Sequence, residues 1–158
     1  MIRQMTSTDY KVVAKIQINA RQVAYAPIFG NTFIEISQEK REKDVKEWAT
    51  KDGSAGFVFE DAQDVKGFII ANLDDAVCTV EYLFVEPHLQ GQGVGAALLV
   101  HCENYAKASG ITIMKLWVLK DNAPARGFYE KHGYAVTGEE TQFGDTGIFE
   151  THYVKELP

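Results

Sequence analysis

Cysteine is scarce in this sequence: only Cys78 and Cys102 occur in 158 residues, far apart and outside any CxxC spacing. That argues against a disulfide framework and leaves two buried thiols in a reducing compartment as the expectation. No run approaches the roughly 18 apolar residues of a membrane helix, so no membrane association is expected. The opening residues, MIRQMTSTDYK, carry no apolar stretch of the signal-peptide kind, and a cytoplasmic address is expected. Basic charge is short too. Sixteen Lys and Arg stand against 22 Asp and Glu, for a net charge of −6. A nucleic-acid partner needs a basic face to neutralise phosphates, and none is visible. An acidic surface suits cationic small molecules better, although many proteins are acidic for solubility alone. The four histidines, His88, His101, His132 and His152, include no pair at HxxxH spacing, so no metal is expected.

What is present is ordinary globular material. Apolar residues make up 46% and charged residues 24% of the chain, which argues against disorder. The length fits a single domain over residues 1–158, with a core large enough to need no staples. Alternation at Ile2 to Met5 predicts a first strand. Val12, Val13, Ile16, Ala20, Val23 and Ala24 then recur at helical spacing, and the helix must stop before Pro27. A loop rich in apolar residues, APIFGNTFIEI, follows. SQEKREKDVKEWATK predicts a second helix with its charges outward and Val45, Trp48 and Ala49 inward. After Gly53 the period changes, and GFVFE, VKGFIIANL and CTVEYLFVEP predict three strands divided by Asp-rich turns. Helical spacing returns from Gly93 to Ser109. ITIMKLWVL predicts a strand, Asn122 to Lys131 a helix, and YAVTG and IFETHYVKEL two closing strands. The predicted class is mixed α/β, about seven strands and about four helices in the order β-α-α-β-β-β-α-β-α-β-β.

The first chemically informative run is Gln90-Gly91-Gln92-Gly93-Val94-Gly95-Ala96, between a strand and an amphipathic helix. Glycines let backbone approach a ligand closely. The first N–H groups of a helix lack partners, and its dipole favours negative charge there. A pyrophosphate suits such a cradle. Three glycines in five residues exceed what a tight turn requires, since each exposed helical glycine costs about 1 kcal/mol against alanine. The absence of GxxxxGK[ST] removes a P-loop. Gly91, Gly93 and Ala96 do satisfy the dinucleotide pattern G-x-G-x-x-[GA], which keeps a dinucleotide-binding oxidoreductase as an alternative. Its context is wrong: the run follows several strands and two helices, and only 62 residues remain after Ala96. A second run, Asn122-Ala123-Pro124-Ala125-Arg126-Gly127-Phe128-Tyr129-Glu130-Lys131-His132-Gly133-Tyr134, reads by itself as a short capped helix with core aromatics.

Together the two runs resemble the GCN5-related N-acetyltransferase (GNAT) superfamily. Its motif [QR]-x-x-G-x-[GA] is matched by Gln90, Gly93 and Gly95. Its later motif, roughly N-x-x-A-x-x-F-Y-x-x-x-G-[FY], is matched by Asn122, Ala125, Phe128, Tyr129, Gly133 and Tyr134. The element order resembles that family from Ile2 to Leu157. The resemblance implies an N-acetyltransferase in which acetyl-CoA, as co-substrate, lays its pyrophosphate on the amides of Gln90, Gly91, Gln92, Gly93, Val94, Gly95 and Ala96. Its pantetheine arm would run along Leu83, Phe84 and Val85 like an added strand, where CTVEYLFV and ITIMKLWVL splay apart. Asn122 and Phe128 would hold the cofactor. Tyr129 would touch it and occupies the family's position for the acid that protonates the departing thiolate.

Transfer to an amine also asks for a proton acceptor, because an alkylamine of pKa near 10 is only about one part in a thousand neutral at pH 7. Glu81 lies on the strand that would flank the thioester, and simple alternation groups it with Leu83 and Val85. It is the candidate base and an acceptor ligand. Tyr25, Phe29 and Phe33 resemble the aromatic loop of amine and polyamine acetyltransferases, which implies a small amine, a polyamine or an amino-acid derivative as acceptor, attacking directly in a ternary complex. The same family analogy implies a possible homodimer. A GNAT-like acyl-CoA sensor without chemistry is the other alternative.

Overall fold

The computed structural model describes residues 1–158. Seven strands form one sheet: β1 (Ile2–Gln4), β2 (Ser54–Asp61), β3 (Asp64–Asp74), β4 (Val77–Val85), β5 (Ile113–Leu119), β6 (Ala135–Gln142) and β7 (Phe149–Glu156). Their spatial order is β1-β2-β3-β4-β5-β7-β6. Every neighbouring pair is antiparallel except β4 and β5, which are parallel. The helices are α1 (Tyr10–Ala24), a single turn α2 (Ala26–Phe29), α3 (Gln38–Thr50), α4 (Val94–Ala108) and α5 (Ala123–Lys131). The predicted order holds, with one addition: the predicted loop APIFGNTFIEI opens at Ala26 as helix α2. Pro27 falls in its first turn, where a missing N–H costs nothing.

Apolar faces sort the helices onto the two sides of the sheet. Val94, Leu98, Leu99, Cys102 and Ala106 of α4 pack with Ile69, Val80, Met114, Leu116 and Tyr153 on one side, where α5 joins through Ala125, Phe128 and Tyr129. Val13, Ala14 and Ile16 of α1 and Val45 of α3 pack with Val58, Phe68 and Ile70 on the other. Each fully buried side chain of this kind contributes about 1.5–3 kcal/mol relative to exposure, which is what holds three layers together. Cys78 and Cys102 are both buried and free.

Local chemistry sets the helix starts. Asp9 ahead of α1 accepts from the Thr6 amide at 2.8 Å, the Ser37 side chain from Lys40 N at 3.2 Å, and Asn122 from Ala125 N at 3.3 Å. Two side chains depart from the expected faces. Arg41, expected outward with the other charges of α3, is buried, with its guanidinium 5.1 Å from the Trp48 ring centroid. Val23, expected inward, is exposed beside the cleft described below.

Candidate active site

The parallel pair creates the site by coming apart. β4 and β5 are in register only from Val77 opposite Ile113 to Val80 opposite Leu116. Beyond that rung β4 continues to Val85 and β5 to Leu119 without pairing to each other. On its other edge β4 stays bonded to β3, but the register slips: Tyr82 faces Ile70 while Val80 faces Ala71, leaving Glu81 as the extra residue of a bulge. A bulge swaps the faces of everything that follows. Cys78 and Val80 therefore share the α4 side with Leu83 and Val85, while Tyr82 and Phe84 pack on the α1 side. This corrects the simple alternation that grouped Glu81 with Leu83 and Val85. The Glu81 carboxylate instead lies 3.8 Å from Lys51 Nζ, at the end of α3.

A cleft of about 770 Å³ occupies the gap. Leu83, Phe84, Val85, Gln90, Gly91, Gly93, Gly95 and Ala96 line one flank, and Asn122, Phe128 and Tyr129 the other. Gly91 and Gly93 have φ of +80° and +88°, the left-handed region that favours glycine, and the space where each Cβ would stand is open. No N–H from Gly91 through Ala96 meets a backbone acceptor in the protein. Consecutive free amides leading into the N-terminus of a fifteen-residue helix are a receptor for anionic oxygens, so the chain fits a phosphate-bearing ligand here. Gln92 and Val94 were expected to contribute amides, which are free, and their side chains do not line the cleft. The Gln92 side chain turns back to the His88 carbonyl at 3.4 Å, and Val94 enters the core.

Tyr129 lines the cleft, and its hydroxyl has no hydrogen-bond partner in the protein. Burial first, and the nearby Tyr25 phenol second, push its pKa well above the usual tyrosine value. It is held as a phenol. Burial likewise pushes Tyr25 up to about 12. Tyr25 lines the same cleft, 6.1 Å from the Phe29 ring and 6.2 Å from Phe84. Phe29 is buried behind it and meets Phe143 of the β6–β7 turn edge-on at 5.3 Å. The final hairpin thus packs against the early helical loop behind Tyr25. Phe33 does not line the cleft. It lines a separate pocket with Ile18, Gln22 and Glu35, under the Arg21 guanidinium at 4.4 Å. Trp117 lines the cleft from β5, and it carried no signal in the motif pattern. Its ring lies 4.6 Å from that of His152, its partner across the β5–β7 ladder.

The family model for acetyltransferase (GNAT) matches residues 23–134, the stretch that builds both flanks of this cleft. The chain belongs to the GNAT family. Members of that family are acetyl-CoA-dependent N-acetyltransferases. The spermidine N(1)-acetyltransferase of Thermoplasma acidophilum is 25% identical over 158 residues, covering 96% of each chain. The mycothiol acetyltransferase of Beutenbergia cavernae is 28% identical over 148 residues, 90% of this chain. The chain spans about half the length of that relative, 48%. Among solved structures, the PaiA N-acetyltransferase of Thermoplasma acidophilum in complex with coenzyme A superposes with a TM-score of 0.83 at 21% identity. That match covers 99% of this chain and 98% of the other, and establishes the GNAT fold. No helix is long and apolar enough to cross a membrane.

Proposed function

We propose that residues 1–158 act as one unit that transfers the acetyl group of acetyl-CoA to the primary amine of a small cationic acceptor, by direct attack in a ternary complex. The observation that carries this reading is a single cleft joining the free amides after Gly91 to the unpartnered Tyr129 hydroxyl and to the aromatic wall around Tyr25. Acetyl-CoA supplies an activated thioester, and the protein supplies placement. Gly91 through Ala96 hold the pyrophosphate, and the open edge of β4 from Leu83 to Val85 offers main-chain groups to the pantetheine arm. A β4 amide near Phe84 or Val85 donates to the oxygen of the reacting carbonyl. Asn122 and Phe128 fix the arm from the α5 side.

Tyr129 donates its proton to the departing sulfur. Its raised pKa is no obstacle, because the same low-dielectric surroundings raise the proton affinity of a thiolate. Glu81 was expected as proton acceptor and as amine ligand. On the bulge beside Lys51, exposed at the mouth of the cleft, it fits the second role better, drawing the acceptor inward. Tyr25 faces the acceptor with Phe29 bracing it from behind, and a polyamine or amino-acid derivative suits this mixture of apolar surface and nearby carboxylates. The likeness to a spermidine N(1)-acetyltransferase supports that class. The test is thiol release from acetyl-CoA with monoamines, polyamines and amino-acid derivatives, comparing wild type with Tyr129→Phe. Amine-dependent release that falls in the variant supports the reading. Tight acetyl-CoA binding without any amine-stimulated release overturns it.

A further inference from the structure

Trp117 lies outside both motif runs, and the opening of the sheet gives it a place of its own. Leu116 opposite Val80 is the last rung between β5 and β4, so Trp117 and Glu81 are the next residue on each strand as the two part. Leu116 and Val118 enter the core on the α4 side, so the pleat sends Trp117 to the other side, where Tyr82 and Phe84 pack. Glu81 reaches that same side, since its partner Lys51 caps α3. Trp117 and Glu81 both line the cleft, as does Tyr25 at the end of α1; Lys51 does not. β5 runs between β4 and β7 inside the sheet, yet Trp117 is its one exposed residue. An aromatic surface left open in a cleft is one offered to a ligand. His152, buried across the β5–β7 ladder with Nδ1 3.0 Å from the Thr137 hydroxyl, flanks the indole and steadies it. Charge is divided along the cleft. Its two basic side chains, Lys131 and His132, end α5 on the phosphate side: His132 Nδ1 is 2.8 Å from the Phe128 carbonyl, and the Phe128 ring is 3.6 Å from where a Cβ on Gly95 would stand. Where the strands part, the charged lining group is the Glu81 carboxylate. An indole face beside a carboxylate is a site for a cation.

We propose that Trp117 selects the acceptor, holding a second, non-reacting ammonium group of a di- or polyamine against its indole face with Glu81 beside it. This rests on the transferase reading above. The reacting nitrogen must be neutral to attack, whereas a π-face and a carboxylate both favour the charged form of an amine. The cation they hold is therefore the one that does not react. The pantetheine arm lies on the α4 side, where Leu83, Val85 and Tyr129 pack, and the amine chain enters from the α1 side past Trp117. A monoamine of equal length covers the same apolar surface but brings no charge to the indole.

The experiment measures kcat/KM for 1,4-diaminobutane and for pentylamine, a chain of similar length with one cation, in wild type, Trp117→Phe and Trp117→Leu. The KM for acetyl-CoA is measured beside them. Wild type is expected to prefer the diamine. Trp117→Leu keeps an apolar side chain without a π-face and should lose about 3–30-fold on the diamine, with the monoamine and the acetyl-CoA KM little changed. Trp117→Phe, a weaker π-face, should fall between the two. The ratio of diamine to monoamine is the deciding number, because a merely structural role lowers both together. An equal loss on the two amines overturns the proposal, as does a diamine preference that survives in Trp117→Leu. A wild type without any preference for the diamine, or one that acetylates neither of these two while accepting another amine, overturns it as well. A wild type that acetylates no amine at all removes the parent reading, and is distinguished by the absence of any activity to compare.

Discussion

Val80 opposite Leu116 is the last rung that joins β4 to β5, and Glu81, the residue after it, is the bulge that turns β4 away. The break in the ladder and the change of face therefore occur within two residues. A strand that keeps pairing on one side while abandoning the other leaves its free edge facing Tyr129 across the gap. Tyr129→Phe removes only a hydroxyl that bonds nothing in the protein, so stability should hold while kcat falls by about 10²-fold or more. Stopped-flow thiol detection with acetyl-CoA at saturation, alongside a thermal melt, separates the two effects.

Gly93 caps α4 in the left-handed region at φ +88°, with open space around its missing Cβ. Gly93→Ala meets no steric wall, so its cost is conformational, about 1–2 kcal/mol. Relaxing that strain would re-aim the free amides at the start of α4. The expected outcome is a raised KM for acetyl-CoA with the amine KM little changed, read from a two-substrate kinetic matrix.

Much of this was legible before any coordinates. Hydrophobic period placed every strand and the four long helices, and the spacing of Gln90, Gly93, Gly95, Asn122, Phe128 and Tyr129 carries the family. The failures have a common cause: they are contacts between elements. Arg41 lies in a run of charges, and only the Trp48 ring of the same helix and the fit of α3 against the sheet bring it inside. Phe33 belongs to an aromatic stretch that sequence treats as one unit, but α2 and the turn after it carry it to Arg21 instead of the cleft. Alternation along CTVEYLFV assumed an unbroken ladder, and a bulge is a property of two strands together.

The β2–β3 turn stores strain that can be removed. Ala62 and Gln63 have φ of +50° and +69°, the pattern of a two-residue hairpin turn that prefers Asn-Gly. Replacing them by Asn and Gly should stabilise the protein by about 1–2 kcal/mol, raising Tm by about 2–4 °C per kcal/mol for a chain of this size. Neither residue lines the cleft, so kcat/KM should stay at the wild-type value. A melt and a turnover assay on the double variant check both halves.

Asp9 anchors the start of α1 to the sheet edge. Burial alone would raise its pKa, but the bidentate Arg3 guanidinium at 2.9 Å and the Thr6 amide at 2.8 Å outweigh that and lower it. The unfolded chain therefore binds this proton more readily, so the contribution is present above the ordinary carboxylate range and is lost as pH falls through the native value. Asp9→Asn should cost about 1–3 kcal/mol at neutral pH. The gap to wild type should close as pH drops below about 4, in parallel urea titrations across pH.

Glu150 is half-buried on β7 with no hydrogen bond or ion pair to its carboxylate, and Glu150→Gln should raise stability. Burial is the cause of its raised pKa, so the native state holds this proton more tightly than the unfolded chain. Below the unfolded value both states carry the proton and the residue is neutral in effect. Above it the unfolded chain ionises freely while the native chain must either keep its proton or bury a charge, and stability falls as pH rises. Glutamine keeps the shape and removes the charge. Melting of the ligand-free protein at neutral pH should therefore come at a higher temperature in Glu150→Gln than in wild type, and the difference should vanish below about pH 4. A variant that melts lower than wild type at neutral pH would show instead that Glu150 supports the fold, through a contact that a neutral amide cannot replace.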